Sequence, residues 1–248
     1  MTRQKILITG ASSGWAGMAR VFAAKGRDLA LCARRTDRLD ELKAELLERQ
    51  PGITVAVAAL DVNDHEQVPK VFAELSEELG RIDRIIVNAG IVKGAPLGSG
   101  KLWANKATIE TNLVAALVQI ETAIEMFKTA GGGHLVLISS VLANKGVPGV
   151  RAAYAASKAG VSSLGESLRA EYAKGPIKVT VIEPGYIESE MTAKADTTTL
   201  MVDNETGTKA MVDAIEREPG RSTVPSWPWA PLVQALRLLP PALAAKFA

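Results

Sequence analysis

Six short runs, residues 5–9, 28–33, 54–60, 84–88, 134–139 and 178–183, are rich in apolar residues, most with an uninterrupted apolar centre, and a longer stretch separates each from the next. A strand covered on one face alternates apolar and polar residues. Continuous runs such as Ile6-Leu7-Ile8 and Leu135-Val136-Leu137-Ile138 instead suit parallel strands covered on both faces. The stretches between them, near 16–25, 36–49, 64–79, 101–129 and 152–174, read as helices. Strand and helix alternate, so the expected fold class is α/β: a doubly wound parallel sheet with helices on both faces. Pro148, Gly149, Gly175-Pro176 and Pro184-Gly185 supply turn signals, and 221–224 is a candidate seventh strand. A chain of 248 residues can bury such a core as one domain, and no internal repeat divides it.

The first run ends in Thr9-Gly10-Ala11-Ser12-Ser13-Gly14 and leads into a helix. Glycines at a strand-to-helix turn let backbone approach a pyrophosphate, and the helix N-terminus attracts its charge, as in Rossmann-type dinucleotide-binding units. The same five residues from Gly10 to Gly14 also match the G-x-S-x-G elbow of hydrolases. That chemistry needs a late histidine, and none follows His134. No Gly-Lys-Ser/Thr follows, so the turn is not a P-loop. The second run ends Ala33-Arg34-Arg35. An NAD-selective enzyme places a carboxylate there for the ribose 2′-hydroxyl, whereas guanidinium groups suit a 2′-phosphate.

Between Ser139 and Lys158 the chain reads SSVLANKGVPGVRAAYAASK. On a helix, Tyr154 and Lys158 stand four apart on one face. An ammonium at about 4 Å, at an effective dielectric of about 20, favours phenolate by about 4 kcal/mol, so Lys158 is expected to lower the Tyr154 pKa. Ser140 can then hold a substrate oxygen within reach of the phenol. Ser139, one residue earlier on the strand, is expected to face the other way.

These motifs occur in one order: the glycine loop, Asp61-Val62, Asn88-Ala89-Gly90, Asn112, Ser140, Tyr154-x-x-x-Lys158 and Pro184-Gly185. Together they resemble the short-chain dehydrogenase/reductase family, in its compact single-domain branch, over about residues 4–190. The arginine pair resembles the NADP-preferring version, so NADP(H) is expected over NAD(H). The resemblance implies that Gly10, Ser12, Ser13 and Gly14 meet the pyrophosphate and that Arg34 and Arg35 read the 2′-phosphate. It implies that Asp61 and Val62 flank the adenine, with Asn88, Ala89 and Gly90 beside the cofactor. Pro184, Gly185, Ile187 and Ser189 would lie at the nicotinamide end; the family more often has Thr at the place of Ser189. Tyr154 would be the acid/base, Lys158 would bind the nicotinamide ribose, Ser140 would orient substrate, and Asn112 would hold a relay water. The implied reaction interconverts a carbonyl and an alcohol by hydride transfer, in a homodimer or homotetramer. The rival from another class is a non-catalytic NADP(H)-fold scaffold.

The sequence departs from this pattern twice. The interval from Ser140 to Tyr154 is one residue longer than is common, with Val150-Arg151 before Ala-Ala-Tyr. The glycine loop continues Gly14-Trp15-Ala16-Gly17, where the family has glycine, a hydrophobe and glycine. Either one residue is lost or Ala16 replaces the third glycine. A lost residue would rotate the helix by about 100°, so Met18, Val21 and Phe22 are expected to keep facing the sheet while the loop distorts, and Trp15 is expected to crowd the cofactor site.

The remaining composition excludes other classes. A net charge of +2 with no Lys/Arg run marks no nucleic-acid surface. One cysteine, Cys32, suits a reducing cytoplasm, and the two histidines make no metal-ligand spacing. No leader is recognisable at the start, so the sequon Asn204-Glu205-Thr206 is not expected to be used. No stretch reaches the length of about 20 apolar residues that spans a membrane. Residues 186–205 are hydroxyl-rich and lie past the sixth strand, as a substrate lid would. The apolar tail 225–248 holds Trp227 and Trp229, which are expected to pack on the core or a neighbouring subunit. Contact with an apolar substrate or with a membrane surface is open for this tail.

Overall fold

The structure, a computed structural model, describes residues 3–190, 192 and 200–240. Its strands are β1 (Lys5–Thr9), β2 (Asp28–Ala33), β3 (Val55–Ala59), β4 (Arg84–Val87), β5 (Gly133–Ile138), β6 (Ile177–Pro184) and β7 (Arg221–Val224). They form one seven-stranded sheet in the order β3-β2-β1-β4-β5-β6-β7, with every pair parallel. The helices are α1 (Ala16–Ala24), α2 (Thr36–Arg49), α3 (Gln67–Leu79), α4 (Leu102–Ile109), α5 (Ala115–Thr129), α6 (Ala152–Glu171), α7 (Asn204–Glu216) and α8 (Ser226–Leu238).

Two cores explain why the strands are continuously apolar. Ile6 and Ile8 point into a cluster with Met18 and Phe22 of α1, Leu39 and Leu46 of α2 and Met211 of α7. Leu7 between them points to the opposite face, into a cluster with Phe72 of α3, Ile120 of α5 and Val161 of α6. The central strands are therefore covered by helix on both faces. Met18 and Phe22 are fully buried and Val21 packs partly buried beside them, so α1 keeps its register. Cys32 lies in the second cluster, and burial pushes its thiol up to about 12, which keeps it unreactive.

The structure differs from the sequence reading at several boundaries. α3 starts at Gln67 rather than near 64, because Asp61 accepts from the Asn63 amide and Asp64 from the Gln67 amide, closing a polar turn first. The stretch 101–129 is not one helix: a π-helical turn, Glu110–Val114, separates α4 from α5. α7, capped by Asp203 accepting from the Thr206 amide at 2.7 Å, was not foreseen as a helix. Residues 191 and 193–199 of the expected lid and 241–248 of the tail lie outside the described residues.

Charges are not all on solvated faces. Arg84, 1% exposed at the start of β4, donates to Glu216 Oε1 (2.6 Å) and from Nε to His134 Nδ1 (2.8 Å). His134 Nδ1 therefore accepts, and its Nε2–H donates to Thr180 Oγ1 at 2.8 Å, which donates to the Pro219 carbonyl at 2.6 Å. This chain ties β4, β5 and β6 to the end of α7. Burial first, and then Arg84 and Arg3, hold the His134 pKa well below its usual value. Below pH about 6.5 the unfolded chain takes up a proton that the fold refuses, so stability falls as pH drops, by at most about 1.4 kcal/mol per pH unit. Above pH about 6.5 this group contributes no slope. His134→Gln should flatten the decline between pH about 6.5 and 5 in denaturant unfolding; an unchanged slope would show that His134 is not the titrating group.

Candidate active site

The strand order reverses between β1 and β4, and ligands of doubly wound sheets bind in the crevice outside the strand ends at such a point. Here the chain beyond β1 turns at Gly10, whose φ of +68° is left-handed and whose missing Cβ would lie 2.8 Å from Ala89 Cα. Thr9 Oγ1 accepts from the amides of Asn88 (3.0 Å) and Ala89 (3.1 Å), and Asn88 Nδ2 donates to the Thr9 carbonyl at 2.8 Å. Asn88 Oδ1 is buried with no partner. Asn88 and Gly90 line both halves of one cleft, which continues along the strand ends.

The outer half is walled by Gly10, Ser12 and Ser13 on one side, and by Asp61, Val62 and Ala89 on the other. Arg34 and Arg35 close its far end. Arg34 is largely exposed, with Nη1 4.0 Å from Asp61 Oδ2. Arg35 donates from Nη2 to the Ser12 carbonyl at 2.5 Å and from Nη1 to Glu190 Oε2 at 3.2 Å. Arg38, in the first turn of α2, also pairs with Glu190, and Arg38 followed by Arg35 holds the Glu190 carboxyl below its ordinary value. Neither Arg38 nor Glu190 was singled out from the sequence; their adjacency joins positions that are far apart in the chain.

Gly14 does not line this cleft. A Cβ there would come 2.6 Å from Ser189 Cβ, so its bareness admits the segment after β6. The close contact with α7 is made by Gly17, not Ala16: a Cβ on Gly17 would lie 2.6 Å from Asn204 Oδ1. Trp15, at the N-cap of α1, lines both halves of the cleft.

The inner half brings together Ser140, Tyr154 and Lys158 with Pro184, Gly185, Ile187 and Ser189. Ser140 follows β5 and accepts from the Leu142 amide at 3.2 Å, opening the short 3₁₀ turn Val141–Asn144. Ser139 points away as expected, donating to the Lys158 carbonyl at 2.8 Å with Ser162 Oγ equally close. Tyr154 and Lys158 share one face of α6. Lys158 Nζ donates to the Ile138 carbonyl at 2.8 Å and lies 5.9 Å from the Tyr154 ring centre.

The expected lowering of the Tyr154 pKa is not what this arrangement produces. Burial pushes the phenol up to about 12, only partly opposed by hydrogen bonding to Ser140, and burial pushes Lys158 down to about 8. Both groups are desolvated and the ammonium lies 5.9 Å from the ring centre, so desolvation outweighs the attraction. The resting phenol is therefore protonated.

Asn112 sits in the π-helical turn, not in a regular helix. Its Oδ1 accepts from the Ile91 amide at 2.8 Å, and its Nδ2 donates to the Ile91 carbonyl (2.9 Å) and Ser157 Oγ (3.3 Å). Both amide hydrogens are used, which leaves one lone pair on Oδ1. A Cβ on Gly90 would meet this oxygen at 3.2 Å and Lys158 Nζ at 3.5 Å, so Asn112 stands directly behind Gly90. The extra residue of a π turn re-aims a side chain inward, and such turns are frequent at functional sites.

The segment after β6 roofs the inner half. Ile187 is 1% exposed and bridges to Val202, and the Ser189 amide donates to Thr192 Oγ1 at 2.8 Å. Behind it, α8 sets Trp229 edge-on to Tyr186, with ring centres 5.1 Å apart. A Cβ on Gly185 would collide with Trp229 Nε1 at 2.2 Å, so the indole requires that glycine. The two tail tryptophans part company: Trp229 is 3% exposed and Trp227 is 78% exposed. Trp229 packs on the body of the chain, whereas the backbone at 227 leaves the helical conformation and Trp227 stands outward. Trp229→Ala should cost about 3–5 kcal/mol of stability and Trp227→Ala within about 0.5 kcal/mol; equal losses in denaturant titration would refute this placement.

Arg151 and Tyr186 also line the inner half, and Arg151 Nη1 donates to the Tyr186 hydroxyl at 3.0 Å. Neither was picked as a site residue, although the extra residue before Ala152 marked the first and the lid segment began at the second. Among the described residues no cluster of three or more His, Cys, Asp or Glu could hold a metal, and no helix is long and apolar enough to cross a membrane.

The chain is similar to known proteins in sequence and in fold. The family described as short chain dehydrogenase matches residues 4–200. An uncharacterized oxidoreductase of Mycobacterium tuberculosis is 78% identical over 249 aligned positions, covering 100% of this chain and 98% of its own length. The crystal structure of levodione reductase superposes with a TM-score of 0.82 at 24% identity, over 93% of this chain and 99% of that one. That of the NADPH-dependent 3-quinuclidinone reductase from Rhodotorula rubra superposes with a TM-score of 0.78 at 27% identity, over 89% of each chain. With a parallel sheet in this order, a glycine turn at β1 and a family match over most of its length, the chain belongs to the short chain dehydrogenase family, whose members are oxidoreductases that use a nicotinamide dinucleotide.

Proposed function

We propose that the protein is an NADP(H)-dependent oxidoreductase that interconverts a ketone or aldehyde and an alcohol. The observation that carries this reading is the convergence of Ser140, Tyr154 and Lys158 on the inner half of a cleft whose outer half is a glycine turn closed by arginines. The residues fit a dinucleotide. Gly10 brings backbone close to Ala89, Asn88 Oδ1 is a buried acceptor without a donor, and two guanidinium groups stand at the end of the cleft. Ser12, Ser13, Arg34 and Arg35 would hold the phosphates, Asp61 and Val62 the adenine, and Asn88, Ala89, Gly90, Ile187 and Ser189 the nicotinamide half. NADPH supplies the hydride when bound.

Tyr154, protonated at rest, is ready to give its phenolic proton to a carbonyl oxygen that Ser140 orients. The phenolate left behind would be stabilised by the Lys158 ammonium, since in a buried site the Coulomb attraction is weakly screened. Lys158 is held in place by the Ile138 carbonyl, and Asn112 fixes the backbone at Ile91 beside it. The name of the Rhodotorula reductase supports NADPH as the cofactor. Exposed Leu97, Leu102 and Trp103 support a homodimer or homotetramer. The test is consumption of NADPH, and separately NADH, with a panel of ketones and aldehydes. Dinucleotide binding without turnover of any carbonyl would favour the scaffold reading, which Trp15 in the cleft supports.

A further inference from the structure

The substrate end of the cleft holds a cation that the proposed chemistry does not use. Arg151 lies in the 3₁₀ turn Gly149–Arg151 and is the N-cap of α6, three residues before Tyr154. Both side chains line the inner half of the cleft, as does Ser140. Apart from Arg151 and Lys158, this half is walled largely by Trp15, Val92, Leu142, Pro184 and Ile187. Lys158 is committed to the Ile138 carbonyl.

Arg151 makes one side-chain hydrogen bond there, from Nη1 to the Tyr186 hydroxyl, and among the described residues no carboxylate lies within ion-pair distance of it. Tyr186 is itself fixed by its edge-on contact with Trp229. The guanidinium is thus oriented by a neutral partner and has donors to spare, since it carries five N–H groups. A guanidinium in an apolar wall is matched best by a planar anion that can take two parallel hydrogen bonds.

We infer that Arg151, positioned by Tyr186, forms a carboxylate-binding subsite, so that the preferred substrates are carbonyl compounds bearing an acidic group a few carbons from the reacting carbon. The inference rests on the proposed carbonyl chemistry for its reacting end. Arg151 stands three residues before Tyr154 and both side chains line the same half of the cleft, so a short substrate whose carbonyl reaches the phenol can present its other end to the guanidinium. Val150-Arg151, with the one-residue lengthening before Tyr154, is therefore a specificity element rather than a neutral loop.

The test pairs each keto acid with its methyl ester, which keeps shape and carbonyl but removes the charge. Levulinate and the homologue one methylene longer are the probes. Wild-type kcat/KM should favour acid over ester by at least about tenfold, carried mainly in KM and shrinking with added salt. In Arg151→Gln the acid-to-ester ratio should collapse towards unity, and Arg151→Lys should retain part of it because the charge survives. Equal kcat/KM for acid and ester in the wild type, or a ratio unchanged in Arg151→Gln, would overturn the inference. Calorimetric binding of pentanoate against methyl pentanoate to the NADP-loaded protein gives the same ratio without chemistry. A carboxylate preference in binding that Arg151→Gln abolishes supports the subsite even where no probe is reduced, and that outcome would count against the proposed reaction instead.

Discussion

Tyr154→Phe is expected to lower kcat by about a hundredfold to ten-thousandfold, the usual worth of a positioned general acid, while NADPH affinity stays within about threefold of wild type. The phenyl ring keeps the packing on α6, so what is lost is the hydroxyl that faces Ser140. The resting pKa, pushed up to about 12, means that the group enters the reaction as an acid. Lys158→Ala should lower kcat and also weaken the dinucleotide, since its ammonium both faces the phenol and reaches the Ile138 carbonyl at the cleft floor. Tyr154→Phe retaining more than about a tenth of wild-type kcat would remove Tyr154 from the acid/base role.

Neutralising Arg34 and Arg35 together should weaken NADPH at least about tenfold more than NADH. A hydrogen bond to a charged group is worth about 1.5–3 kcal/mol, and the exposure of Arg34 places its share at the low end. Arg35 has a second task, because it donates to the Ser12 carbonyl and thereby braces the glycine loop. Its loss should therefore cost some NADH affinity as well, whereas the loss of Arg34 should not. Glu190→Gln should act in the opposite sense, since that carboxylate competes for Arg35 and Arg38. Titration of both dinucleotides at low salt measures the ratio; equal losses of NADPH and NADH would show that the pair does not read the 2′-phosphate.

Several features were legible in the sequence because they are local. The strands could be read because both faces of a parallel sheet are covered, which leaves unbroken runs such as Ile6-Leu7-Ile8. The Tyr154–Lys158 pair, Ser140 and the glycine turn could be read because each motif lies within one turn or one strand end. Ser139 and Ser140 could be separated by strand alternation alone, and the Ser139 hydroxyl does turn back to α6. The register of α1 was foreseeable despite the altered loop, because Met18 and Phe22 have only one place to be buried.

What tertiary structure decided are quantities that depend on residues distant in sequence. The sign of the Tyr154 shift turned on desolvation, which no spacing reports. The need for glycine at 14 and 185 comes from Ser189 and Trp229, each reached only once the chain has folded back. The buried Arg84–His134–Glu216 clamp, the Glu190 carboxylate on Arg35 and Arg38, and the Arg151–Tyr186 pair join groups 35 to 155 positions apart. A motif encodes chemistry along the chain, but burial and charge pairing act through space, so only the closed fold sets their size and sign.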